Sequence, residues 1–184
     1  MKLLRAALFT LVVLPLAAQA AGTLKIDRSR SFVDVDVKST VDSFTGRLEN
    51  YDAAIGLDEA GKIKTAVFTF KFADLKTGKA ERDLRMLEWL GGAQPEGRFE
   101  MGALALAPDG QGHATGRFTM HGNAQLVEFP VNITQSDGAF TIAGAATLRY
   151  TDWGLKIIRN FGLLKVDPEV KVRFKLVGAP VEAK

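Results

Sequence analysis

The chain has 184 residues, 47% of them hydrophobic, no cysteine, and 24 lysines and arginines against 21 aspartates and glutamates. Without cysteine there are no disulfides and no thiol chemistry. Two of the basic residues, Lys2 and Arg5, sit in the first 20 positions, which hold no acid; the remainder carries 22 against 21, so net charge gives no reason to expect a nucleic-acid partner.

Residues 1–20 have the order of a secretory signal. Lys2 and Arg5 precede an apolar run from Leu8 to Leu16, and Ala18-Gln19-Ala20 offers small residues where a signal peptidase cuts. The run is well short of the ~20 residues that span a bilayer. No cysteine follows it, so a lipid-modified N-terminus is excluded. We therefore expect a cleaved signal peptide at 1–20 and a single mature domain at 21–184. It should be exported to the periplasm, with no stable membrane anchor.

The mature chain then reads as strands. In 32–38, Val33, Val35 and Val37 alternate with Asp34, Asp36 and Lys38. Residues 44–57 are extended, with an irregularity near Asp52, and 58–61 form a hairpin turn. Residues 65–72 put Ala66, Phe68, Phe70 and Phe72 on one face. Strands follow at 98–106 and at 113–120, where Ala114, Gly116, Phe118 and Met120 align. Residues 125–135 align Val127, Phe129, Val131 and Ile133, with Pro130 on the opposite face, as suits an edge, a bulge or a solvent-facing site. Residues 139–150 align Phe140, Ile142, Leu148 and Tyr150, and 170–177 align Val170, Val172, Phe174 and Leu176.

Eight strands at short spacing, each with one polar and one apolar face, define an all-β antiparallel barrel or sandwich. An eight-stranded barrel is either filled by side chains or just wide enough for one small ligand. The small inward residues Ala66, Ala114, Gly116, Gly144 and Ala146 fit both cases: they leave room, or Phe rings pack over them.

One stretch breaks the pattern. Residues 77–92, TGKAERDLRMLEWLGG, read as one short amphipathic helix with its caps. Leu84, Leu87 and Leu90 fall near one stripe, beside Met86 and Trp89. Thr77 or Gly78 should cap its start, with Glu81 completing a capping box on the Gly78 backbone. Gly91-Gly92 should end it. The stripe should cover one end of the barrel, as a plug or as a lid.

Several segments together resemble the YceI-like family of periplasmic, polyisoprenoid-binding, lipocalin-like barrels. They are IDRSRSFVDVDVK (26–38), FTGRLENYDAAIGLD (44–58), DLKTGKAERDLRM (74–86), PEGRF (95–99), GRFTMHGNAQLVEFPV (116–131) and YTDWGL (150–155). The resemblance covers about 24–177 and implies an eight-stranded barrel holding an isoprenoid lipid of the quinone or polyprenyl phosphate type. Relatives often carry histidine where this chain has Arg30, Ser39 and Arg85. Two of the replacements are permanently cationic, which makes Arg30 and Arg85 candidates for an anionic head group.

Catalysis finds no support in the residues. His113 and His121 are the only histidines, eight positions apart, or about 26 Å along one strand. No metal-ligand spacing, nucleophile elbow or phosphate loop is present. The sequon at Asn132 lies within a strand. We therefore expect no enzyme, no metal and no cofactor beyond a bound isoprenoid or other amphiphilic lipid. The residues expected to line its site are Phe68, Phe70, Phe72, Phe118, Met120, Phe129, Val131, Leu148 and Phe174, with Leu84, Leu87, Trp89 and Trp153 near the ends. A homodimer stays open, as does a fully packed barrel serving stress or protein interaction.

Overall fold

The computed structural model describes residues 22–92, 95–160 and 164–182; the expected signal peptide lies outside them. The strands are β1 (Gly22–Ile26), β2 (Phe32–Ser39), β3 (Ser43–Leu48), β4 (Asp52–Leu57), β5 (Ile63–Lys71), β6 (Leu75–Lys76), β7 (Glu96–Leu106), β8 (Gln111–Met120), β9 (Asn123–Ser136), β10 (Ala139–Arg149), β11 (Arg159–Asn160) and β12 (Leu164–Glu182). The helix α1 (Ala80–Leu90) stands between β6 and β7.

These strands occupy eight positions around a closed antiparallel barrel. β12 explains the arithmetic. One of its edges pairs with β10, from Phe140↔Gly178 to Arg149↔Glu169. Its other edge pairs first with β2 and then with β1. β1 and β2 are thus two halves of one bent strand, parted by a 3₁₀ turn at Arg28–Arg30. β3 and β4 are likewise two halves of the next strand: β3 pairs with β2, and β4 with β1. The break expected near Asp52 falls just before it, since β4 begins at that residue. β5, β7, β8, β9 and β10 complete the ring.

Two irregularities aim side chains. The β7–β8 register shifts between Met101 and Ala103. Such a bulge reverses the parity of the strand, so Met101 and Leu104, one odd and one even, both face the interior. The β2–β12 register shifts between Val166 and Val170, around Pro168, which has no N–H to give to a ladder. Pro130 pairs opposite His113 in the β8–β9 ladder and is exposed, and the β9–β10 ladder runs only as far as Val131↔Gly144. It thus meets the solvent-facing expectation.

The inward glycines do not make empty space of their own. A Cβ on Gly97 would lie 2.4 Å from the Phe70 ring, one on Gly116 2.5 Å from the Phe99 ring, and one on Gly144 2.7 Å from the Phe174 ring. Each glycine leaves the space that a phenyl ring from the neighbouring strand occupies.

The α1 cap differs from the expected box. Lys79 is the N-cap residue and makes no side-chain cap bond. Instead the Asp83 carboxylate reaches back and accepts from the Thr77 N–H at 3.1 Å and the Thr77 hydroxyl at 2.5 Å. A carboxylate in the first turn also faces the positive end of the helix dipole. Gly91 ends the helix with φ 67° as expected, and its N–H donates to Leu87 O.

Candidate functional site

The barrel encloses a cavity of about 960 Å³ lined mostly by apolar side chains. It reaches from Ile55, Ile133 and Leu176 at one end to α1 at the other. Its hollowness shows in burial as well. Val35, Val37, Phe68, Phe70, Leu148 and Val172 face inward yet are only half-buried. Inward-facing residues of a filled core would be closed off by neighbours.

Of the residues expected to line a site, Phe68, Phe70, Phe72, Trp89, Phe118, Met120, Phe129, Val131, Leu148 and Phe174 line this cavity. Three others do not. Leu84 is 62% exposed on the outer side of α1, so the helical stripe is rotated from the one expected, and Met86, Trp89 and Leu90 face the lumen. Leu87 is half-buried against the cluster that holds Phe72 and Tyr150. Trp153 belongs to the same cluster, fully buried in a 3₁₀ turn at Tyr150–Trp153, where its indole N–H donates to Phe118 O at 2.9 Å. It fastens this end of the barrel and does not line the cavity.

The two head-group candidates separate. Arg85 lines the cavity mouth but is paired to Glu81 at 2.7 Å. Arg30 is exposed in the turn between β1 and β2 and is no part of the lining. Val33, Val35, Val37, Val170 and Val172 are wall residues that their strict alternation had marked and that the expected set omitted. Leu155, Ile158 and Arg159 also line the cavity; the first two come from an irregular segment and Arg159 from the two-residue β11, and none carried a periodic signal.

The mouth lies between the β2–β3 turn, α1 and the segment leading to β12. Ser39, Val41 and Asp42 form one side, Lys79, Arg82, Arg85 and Glu88 another, and Arg159 a third. Arg82 joins two of these sides. Its Nε donates to Thr77 Oγ1 at 2.9 Å and its NH2 to Thr77 O at 2.8 Å, while its guanidinium lies 3.7 Å from the Phe44 ring centroid. The Trp89 indole N–H donates to Lys156 O at 2.8 Å and ties α1 to the third side. Within the lining, burial raises the Tyr150 phenol above its ordinary value; it stays protonated at neutral pH, with its hydroxyl 3.2 Å from Val166 O.

Outside the barrel, charge is arranged to hold strands together. Arg47 binds Asp34 in a two-pronged pair at 2.8 and 2.9 Å, and Arg173 binds Asp36 at 2.6 and 3.0 Å. This ladder crosses β3, β2 and β12 on the face opposite Val33, Val35 and Val37. His121 Nδ1 sits 3.2 Å from Trp153 O in the β8–β9 turn, and His113 is exposed on β8. Among the described residues no group of three histidines, aspartates or glutamates is placed to hold a metal.

A closed eight-stranded antiparallel barrel around a ligand-sized apolar cavity, with a helix across its mouth, is a lipocalin-like architecture. The model of the YceI-like domain matches residues 24–178, and the chain belongs to that family. Its fold is similar to that of Burkholderia cenocepacia BcnA, with a TM-score of 0.70 and 22% identity over 83% of this chain and 99% of that one. It is also similar to a Campylobacter jejuni YceI protein, with a TM-score of 0.54 and 15% identity over 76% of this chain and 84% of that one. No curated protein sequence matches the chain.

Proposed function

We propose that the protein is a periplasmic carrier that holds an isoprenoid lipid inside the barrel. The observation that carries this reading is the cavity: about 960 Å³ of space walled by aromatic and aliphatic side chains, with charge confined to its mouth. Ligand sites are of this form, apolar within and polar where orientation is set. The family resemblance supplies the ligand class. At interior packing density a five-carbon isoprene unit fills on the order of 120 Å³. A cavity of about 960 Å³ then takes a chain of roughly eight units. Each unit contributes about 3–4 kcal/mol of transfer free energy before ordering costs, so a long chain binds tightly with no specific polar contact.

Native mass spectrometry of protein purified from the periplasm, with organic extraction of any adduct, tests the reading. A discrete prenyl-lipid mass supports it. A bare protein that stays bare after incubation with quinones and polyprenyl phosphates refutes it. In the same assay, Phe70→Gln or Phe118→Gln in a folded protein should lower the lipid content; an unchanged content would remove those residues from the site.

A further inference from the structure

We propose that the rim of the cavity mouth, with Val41 and Leu84 at its apolar points, is a docking surface for an anionic lipid bilayer. The inference rests on the carrier reading. A chain buried over its whole length cannot cross water at a useful rate, because the burial that holds it in the cavity opposes its release into solvent. Exchange then requires the mouth to touch the membrane.

The rim has the features such contact needs. Val41, at the tip of the β2–β3 turn, is 64% exposed, and Leu84, on the outer side of α1, is 62% exposed. These are the two large apolar residues exposed on the segments that frame the mouth, namely residues 38–43, 79–90, 155–159 and 164–165. The same segments carry the cations Lys38, Lys79, Arg82, Arg85, Lys156, Arg159 and Lys165 against the carboxylates Asp42, Glu81, Asp83 and Glu88. Pairing leaves the cations in excess. Arg85 is matched by Glu81, and Asp83 is turned inward onto Thr77. The side chains of Lys38, Lys79, Lys156, Arg159 and Lys165 have no hydrogen-bond or ion-pair partner among the described residues. Exposed apolar side chains on segments with an excess of cations fit a surface of anionic head groups over acyl chains.

Flotation of the purified protein with vesicles decides the matter. Phosphatidylcholine vesicles containing phosphatidylglycerol should carry the protein, and pure phosphatidylcholine vesicles should not. Binding should fall as salt is raised. Leu84→Asp and, separately, Val41→Asp should each lower the bound fraction about tenfold. Leu84 is outside the cavity, so Leu84→Asp should keep the parent's content of extractable lipid while slowing transfer to vesicles. Docking is overturned if the parent floats with neither vesicle or equally with both, or if neither substitution changes flotation. A parent that floats as expected but yields no prenyl lipid refutes the carrier reading and leaves the docking surface standing.

Discussion

A substitution that adds volume to the barrel wall distinguishes a hollow interior from a packed one by the sign of its effect. Val172 faces inward between Val35 of β2 and Ala146 of β10, lines the cavity and is only half-buried. Val172→Trp adds on the order of 90 Å³, about a tenth of the 960 Å³ available. In a packed core such overfilling costs about 1–3 kcal/mol. In the hollow barrel the indole enters empty space, and burying its extra apolar surface contributes up to about 2 kcal/mol. The assay is thermal unfolding of delipidated protein, followed by circular dichroism. For a domain of this size each kcal/mol moves the midpoint by about 2–4 °C. We expect a midpoint equal to the parent's or raised by several degrees, together with a preference for chains shorter by about one isoprene unit. A midpoint lowered by several degrees in a folded Val172→Trp protein would refute the hollow barrel.

Acid stability should report the outer charge ladder. The bidentate bond from Arg173, and then the bond from Thr45, hold the Asp36 carboxyl at about 2. A lowered folded-state value means that its contribution is present above the ordinary value near 3.8 and is lost as pH falls toward about 2. Asp36→Asn should therefore be less stable than the parent at pH 6 by at most about 1 kcal/mol, because solvent screens the pair; the two stabilities should converge between those limits, as urea titrations across pH would show. Gly116→Val places a Cβ 2.4 Å from Glu100 O and 2.5 Å from the Phe99 ring; the expected loss is about 2–3 kcal/mol, and an unchanged unfolding midpoint would contradict the ring-on-glycine wall. Arg82→Lys cannot reproduce the two-pronged grip on Thr77 or the plane over Phe44. It should loosen α1 by about 1–2 kcal/mol, read as faster amide exchange confined to residues 80–90.

The strand pattern was legible because each wall segment has one face in water and one against apolar side chains, and a period of two survives in the sequence. Val33–Val35–Val37 and Phe68–Phe70–Phe72 needed no tertiary information to be placed inward. The helix was legible in existence and in its glycine stop, but not in its start or its rotation. Leu84 has the character of a buried residue, but Asp83 turning back onto Thr77, together with the depth at which Leu90 is buried, directs Met86 and Trp89 to the lumen instead. β1 is not among the strands expected from sequence; it is short, and its five residues pair with the end of β12.

Sequence alone determined the all-β antiparallel class, the order of the longer strands, the position of the helix and most of the aromatic wall, since these follow from local periodicity and turn chemistry. Tertiary structure decided that the interior is hollow. Small inward residues are equally consistent with a filled and an empty barrel. Only the closed ring leaves Phe68, Phe70 and Phe174 half-buried around a cavity of about 960 Å³. Tertiary structure also decided the composition of the mouth. Val41, Arg82 and Arg159 are far apart in the chain and belong to no common pattern; they meet because β12 feeds its first residues past the β2–β3 turn, and because the α1 end is tied to Lys156 through Trp89. Periodicity records which way a residue faces along its own element, and the spacing between elements is fixed only when the ring closes.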